Sequence, residues 1–489
     1  MKRPNVLIIQ TDQQSTWTLS CYGGTEISTP HIDSIANTGS RFDNFYTVSA
    51  VCTPSRGCFM SGQYPHTHGA YRNDVPIRPC VKTFAQIMKE NGYRTSYVGK
   101  WHLAGAEKPF WLSREQSMGF DDCSCMFNCS HSKKITDTDC ESAHNAFAEK
   151  DGSRAGDKEC SSDGKRPRIE ENDTVIGSGA QYTTDFLTDK AIEKICAYVK
   201  KSGETQTEPF LLMLSIPDPH QPYTVRAPYD TLFAPENVKV PVSFYERTLP
   251  DWAENDEWGR HRYFPIDMSD REKKFRKIKA QYCGEVACVD DNVGRIIRCL
   301  KDCNIYDNTV MVFTSDHGDY MGEHGLLEKN NLYESVYRIP LIISFPGKIG
   351  AGSVINTYVS IVDFQPTLLN LLDLPLSAQE QGRDVSCLFE HDSADWEEAV
   401  FIHPNDVPRA GILTREYELA YVGSGWQNQK EFKDHILFDR KNDIDQMHNL
   451  FYNKAYQPVI GKLTVKMAEH FKKLHFDKNK LPPPLSALL

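Results

Sequence analysis

The chain has 489 residues, 40% of them hydrophobic and 25% charged, enough to bury a large core and, at about 150 residues per domain, to form two or three domains. A net charge of -11, with no lysine-rich run or basic tail, argues against nucleic acid as a partner and leaves an anionic substrate to be attracted locally by its site. Met1-Lys-Arg-Pro leads straight into the first core strand with no secretory apolar region and no membrane span, which reads as a cytoplasmic protein with a trimmed exported form left open; fifteen scattered cysteines, an odd number, read as reduced thiols.

Asn5 to Gln10 predicts a first buried strand that delivers Asp12 and Gln13. Thr29-Pro30 opens a short helix with Ile32 and Ile35 inside and Gly39 at its end. Cys52-Thr53-Pro54-Ser55-Arg56 then starts a helix-like stretch, with Pro54 suited to a first turn. A helix start beside an arginine favours anions. Cys52 is therefore either a thiolate nucleophile, with Arg56 one turn later holding it or an anionic substrate, or a buried structural cysteine beside a turn proline.

A helix is expected near Thr83 to Glu90, closed by Gly92, and then a strand Arg94 to Val98 that delivers Lys100 and His102. Ala104 to Gly179 is the least regular part, holding Cys123, Cys125, Cys129, Cys140 and Cys160 with His131 and His144. Its spacing fits no standard zinc pattern, so an ordinary loop insertion is the preferred reading. Thr184 to Lys201 carries Leu187, Ile192, Ile195 and Val199 at helical spacing, and the strand Phe210 to Ile216 delivers Asp218 and His220. The second irregular stretch, Gln221 to Met268, holds Arg226, Arg247, Trp252, Trp258, Arg260, His261 and Arg262; it suits either a sugar ring with a second anion or an aromatic-rich loop packed on the domain.

Ser269-x-x-Glu272 forms a capping-box pattern before a long helix with Phe275, Ile278, Tyr282, Val289, Val293 and Ile296 on one face. Thr309 to Thr314 delivers Asp316 and His317, and the strand Leu341 to Phe345 and a helix near Val362 to Leu372 finish the large unit. Beyond Leu376, short strands at Ala399 to Ile402, Gly411 to Thr414, Glu418 to Val422 and His435 to Phe438 suggest a small antiparallel sheet, followed by a helix near Tyr456 to Leu474. The tail Leu481-Pro-Pro-Pro-Leu485 reads as non-helical, packed along a surface or another subunit of a homo-oligomer. The division is thus 1–376 and 377–489, in an α/β class with a large, mostly parallel sheet flanked by helices.

Four apolar runs each end in a polar or charged group at the carboxyl end, where open parallel sheets place their ligands. Four strands pointing at one edge predict one site.

Taken in order, Asn5-to-Asp12, Thr29-Pro-His-Ile-Asp33, Cys52-to-Gly62 with Tyr64-Pro65, Gly92-Tyr93, Gly99-Lys-Trp-His102, Pro217-to-Pro222, Val289-to-Leu300, Asp316-to-Gly325, Lys329, Tyr333-Glu334 and Arg338-Ile-Pro340 resemble the type I, formylglycine-dependent sulfatases of the alkaline-phosphatase-like superfamily. The resemblance implies that Cys52 is oxidised to formylglycine by a formylglycine-generating maturase, and that the hydrated aldehyde, activated by a divalent metal, attacks the sulfur of a sulfate ester. By the same match Asp12, Gln13, position 52, Asp316 and His317 would hold the metal; Lys100, Lys329 and Arg56 would surround the sulfate oxygens. His102 would take the proton that restores the aldehyde, and His220 would protonate the leaving alcohol. The substrate implied is a small-molecule or oligosaccharide sulfate ester.

Two departures matter. Many family members have paired acids where this chain has Asp12-Gln13, and Asp-Asn where it has Asp316-His317. With oxygen donors and one nitrogen, calcium is the default, and manganese or magnesium stay open. The Gln and His pattern also resembles formylglycine-dependent phosphonate monoester and phosphodiester hydrolases, whereas Gly99-Lys-Trp-His102 is sulfatase-like and tips the reading to sulfate.

Overall fold

The computed structural model describes residues 3–106, 116–128, 131–135, 181–202, 208–264, 269–393, 396, 398–405, 408–423 and 432–489. Its centre is an eight-stranded sheet of β1 (Asn5–Thr11), β2 (Ser40–Phe42), β3 (Arg94–Lys100), β4 (Asp122–Phe127), β5 (Phe210–Ile216), β6 (Thr309–Ser315), β7 (Leu341–Ser344) and β8 (Ser353–Ile355), ordered β8-β2-β7-β6-β1-β5-β3-β4. β4, β3, β5, β1 and β6 run parallel, and β7 runs antiparallel to both β6 and β2.

Side chains alternate across this sheet. Val6 and Ile8, Leu211 and Met213, and Val310 and Val312 enter one core; Leu7 and Ile9, Leu212 and Leu214, and Met311 and Phe313 enter the other. That two-sided burial is why these strands read as continuous apolar runs. The first core is covered by α2 (Cys52–Ser61), α3 (Phe84–Glu90) and α6 (Phe364–Leu371); the second by α1 (Pro30–Asn37), α4 (Thr183–Ser202) and α5 (Arg271–Asp302). No helix among the described residues is long and apolar enough to cross a membrane.

The C-terminal unit is a four-stranded antiparallel meander, β9 (Val400–Ile402), β10 (Arg409–Leu413), β11 (Tyr417–Val422) and β12 (Ile436–Asp439), backed by α7 (Gln457–Lys473).

Three local expectations are corrected. The stretch read as a loop insertion contributes β4 as an edge strand of the main sheet; a register irregularity between Ser96 and Val98 places Cys123 and Cys125 in different cores. Cys129, Cys140, Cys160 and His144 lie outside the described residues. No capping box forms at Ser269, because Asp270 is the residue before the helix, makes no side-chain cap, and Glu272 is taken by Arg276 at 2.7 Å and by Tyr245 at 2.7 Å. The proline tail does contain a helical turn, Pro483–Ser486, since prolines at its start have no N–H to lose and Leu485 gains a fully buried seat against α7.

Candidate functional site

Register builds the site. Thr11 lies beside Ser315 on one flank and Ile216 on the other, while Gly99 pairs with Ser215, so the residues just beyond these strands, Asp12, Asp316, Asp218 and Lys100, emerge together. Asp12 N–H reaches the Asp218 carbonyl at 3.2 Å and Asp316 N–H the Thr11 carbonyl at 3.3 Å, which ties the strand ends to one another.

Cys52 opens α2, a helix in which every residue is buried, and Val51 before it is extended. Its Sγ lies 3.2 Å from His317 Nε2, 3.9 Å from Asp12 Oδ1 and 3.7 Å from Lys100 Nζ. Burial and Asp12 push the thiol up, but Lys100, Lys329 and His317 outweigh them and hold it below its ordinary value.

Arg56, one turn later, faces inward. It donates from Nε to Asp316 Oδ2 at 2.8 Å, from Nη2 to Asp12 Oδ2 at 3.1 Å, and from Nη1 to Ser215 Oγ at 2.8 Å and the Lys100 carbonyl at 2.9 Å. It is 2% exposed and braces the two carboxylates. Burial works to neutralise Asp12, yet Lys100, Arg56 and His317 keep its carboxyl well below the usual carboxylate range.

Asp12, Cys52, Asp316 and His317 are all buried, and their ligand atoms lie within 4.8 Å of one another. His317 donates Nδ1–H to the Gly318 carbonyl at 3.0 Å, which aims Nε2 at this group, an orienting bond of the kind metal-binding histidines make. Two carboxylates, an imidazole and the position-52 group suit a divalent cation. Gln13, at φ 65°, turns its amide elsewhere: Oε1 accepts from Lys329 Nζ at 2.6 Å and Nε2 donates to Asp319 Oδ2 at 2.6 Å.

Around this group stand the other expected residues. Lys100 is fully buried and bonds Asp12 and His131 Nε2, the latter at 2.6 Å. Lys329 is half-buried and donates to His220 Nε2 at 2.5 Å, while His220 Nδ1–H goes to the Gln221 carbonyl at 2.8 Å. Burial and the Lys329 charge push His220 well below the ordinary histidine range, so it is neutral here. His102 sits at φ 61°, is 4% exposed, and its Nδ1 has no partner among the described residues; burial, Lys100 and Arg56 keep it neutral as well. Thr53 Oγ1 donates to the His102 carbonyl at 2.7 Å, which links it to the residue after Cys52.

Sequence reasoning missed two participants. His131 stacks on His220 with centroids 3.6 Å apart, and only tertiary structure reveals that a residue of the irregular stretch arrives there. Asp319 accepts from Gln13 and, at 2.8 Å, from the Tyr223 hydroxyl; burial raises its carboxyl to about 6. Its signal was available in Asp316-His-Gly-Asp319, an extra acid two residues past the metal pair.

The basic and aromatic loop divides in two. Trp252 is 1% exposed and donates to the Asp434 carbonyl at 2.9 Å, Arg226 pairs with Asp185, and Arg260 with Glu254 at 2.7 Å, so these serve packing. Arg247, by contrast, lines a cavity of about 480 Å³ with Glu246, Tyr333, Asp434, Phe438 and Met447, between the loop and the C-terminal sheet.

Comparison with known proteins agrees with this geometry. Residues 4–374 match the family Sulfatase, and residues 322–473 match the family described as N-sulphoglucosamine sulphohydrolase, C-terminal. The chain is 27% identical to an N-acetylglucosamine-6-O-sulfatase of Bacteroides thetaiotaomicron, over 93% of this chain and 84% of that protein. Among solved structures it is similar to a protein captured with its substrate D-glucosamine-2-N,6-O-disulfate (TM-score 0.75, 24% identity, 96% and 98% of the two chains) and to a phosphonate monoester hydrolase from Silicibacter pomeroyi (TM-score 0.71, 21% identity, 96% of each). With three quarters of its length matching one family and the buried thiol, acids and lysines converging at the strand ends, this chain belongs to the sulfatase family, whose members are sulfuric ester hydrolases that work with a divalent metal and formylglycine.

Proposed function

We propose that the substrate is a sulfate monoester on a sugar or small glycan fragment. The observation that carries this is the placement of Cys52 Sγ against the buried group of Asp12, Asp316 and His317 and 3.7 Å from Lys100 Nζ, itself bonded to Asp12, with Lys329 on Gln13 next to Asp12 in the chain. The relative named for N-acetylglucosamine 6-sulfate and the structure holding a glucosamine disulfate support the sugar.

Calcium bound by Asp12, Asp316 and His317, joined by Gln13 if its amide oxygen turns from Lys329, would supply Lewis-acid polarisation, and formylglycine made from Cys52 by a maturase would supply the nucleophile. The chain's own residues do the rest. Lys100 and Lys329 are point charges for sulfate oxygens, and Arg56 fixes the carboxylates in place. The proton for the leaving alcohol is held between Lys329 Nζ and His220 Nε2, while neutral His102 is free to accept one at Nδ1.

The test is to produce the chain with a maturase, confirm the aldehyde by the mass of the Val51–Arg56 peptide, and compare sulfated glucosamines with phenyl phosphonate esters by release of product. Faster turnover of the sulfated sugars supports the reading. A preference for the phosphonate esters assigns the chain to the neighbouring hydrolase class, to which the Gln13 and His317 pattern also belongs.

A further inference from the structure

Away from this site, three cysteines meet on the outer helices. α4 and α5 run side by side in the same direction, joined in order by Asn292 to Asp185 at 3.0 Å, Arg295 to Asp189, and Cys196 to Cys299, whose Sγ atoms are 3.9 Å apart. Cys303, at the end of α5, donates its N–H to the Cys299 carbonyl at 2.9 Å, so it lies one turn on along the same face. All three sulfurs lie within 4.8 Å of one another.

We propose that Cys196, Cys299 and Cys303 form a second metal site, for a thiophilic d10 cation of the zinc type, with three thiolate ligands and a fourth position open to water. Zinc–sulfur bonds of about 2.3 Å in tetrahedral geometry require sulfurs about 3.8 Å apart; the Cys196–Cys299 pair is at 3.9 Å, and Cys303 lies within 4.8 Å of both. Cysteines used as packing residues are normally sealed inside, whereas Cys196 and Cys303 are half-buried beside a nearly buried Cys299, which gives an ion both access and a floor. A simple disulfide pair would leave the third thiol unexplained. On binding, three S–H groups become thiolates and release three protons to solvent; no redox change occurs.

The site is separate from the catalytic one. Thr184, at the start of α4, touches Asp218 at the catalytic edge at 2.5 Å, and Cys196 lies twelve residues along, about 18 Å away. A bound ion would therefore clamp α4 to α5 and stiffen the far end of the sheet.

The experiment uses the full chain carrying Cys52→Ala, which removes the catalytic thiol from cadmium's reach, saturated with calcium and titrated with Cd2+ as a spectroscopic stand-in, with the cysteine variants made in that background and turnover read in the matured protein. The Cys52→Ala protein should take up one equivalent with a thiolate-to-cadmium ultraviolet band, release protons, and protect Cys303 from alkylation. C196S/C299S should lose the band, and Cys303→Ser, at a half-exposed helix end where folding is not at risk, should bind about 100-fold more weakly or worse. Turnover of sulfate esters should be the same in Cys303→Ser and wild type. Equal cadmium uptake and absorbance in the Cys52→Ala protein and the variants overturns the proposal, as does a Cys196–Cys299 disulfide already formed in protein isolated without reductant.

Discussion

Arg56 engages all three of its guanidinium nitrogens with protein groups, two of them with the buried carboxylates of Asp12 and Asp316. Removing it leaves those charges without their shared partner in a dry setting. Arg56→Ala should therefore cost about 3–5 kcal/mol of unfolding free energy by urea denaturation, besides activity. An unchanged midpoint with lost turnover would instead make Arg56 a substrate contact. His220 tests differently, because its Nε2 faces the Lys329 ammonium and its loss is read in the leaving group. His220→Ala should slow esters of poorly acidic alcohols far more than activated aryl sulfates, read as kcat/KM; equal losses would remove it from proton delivery.

Elements carry the pH behaviour of stability. Where Tyr64-Pro65-His66 meets β9 and α7, Tyr64 stacks on His403 at 4.1 Å, and His403 Nε2 lies 2.9 Å from His470 Nε2. Burial lowers His66 to about 4 and His470 to about 3, with His403 also well below its ordinary value. The unfolded chain thus takes up protons below pH 6.5 that the folded chain refuses, and stability falls as pH drops from 6.5 toward 4. For each histidine the slope is about 1.4 kcal/mol per pH unit. His66→Leu should remove one such increment from the wild-type slope in that window. Glu418 on β11 has the opposite sign: burial and then the Glu334 charge raise it from 4.5 to about 8, so the folded chain keeps a proton the unfolded chain has lost. Stability declines as pH rises from 4.5 to about 8. Glu418→Gln, which keeps the side chain's shape beside Gln446, should flatten that decline, and an unaltered pH profile would mean that Glu418 is ionised in the fold.

At the scale of the molecule the two sheets are joined by polar as well as apolar contacts. Arg440, just past β12, donates to Glu334 at 2.6 and 3.1 Å, to the Tyr46 hydroxyl at 2.7 Å and to the Tyr358 hydroxyl at 2.6 Å. Tyr46 and Tyr358 stack on one another at 5.6 Å beneath it. Arg440→Ala should cost about 2–3 kcal/mol, less than a fully buried pair because Glu334 keeps 23% of its side-chain surface in water. Protease should then cut the C-terminal unit first; uniform resistance would mean that the apolar contact alone holds it.

What the sequence determined by itself is what neighbours in the chain or one dominant period can specify. Leu7 to Ile9, Leu211 to Leu214 and Val310 to Phe313 are apolar on both faces, so a parallel, two-sided sheet and its ligand edge were legible, as was the Cys52 run opening a helix. Their carboxyl ends brought Asp12, Lys100, His220, Asp316 and His317 to one place. Tertiary structure alone decided the rest. β4 has a weak strand pattern and is made a strand by the open edge of β3; Arg56 faces the acids because Asp12 and Asp316 leave it no cheaper partner; His131 reaches His220 across 89 residues; and Cys196 finds Cys299 only because α4 and α5 pack in parallel. Local pattern encodes which surface a residue must bury, whereas long-range packing chooses what it is buried against.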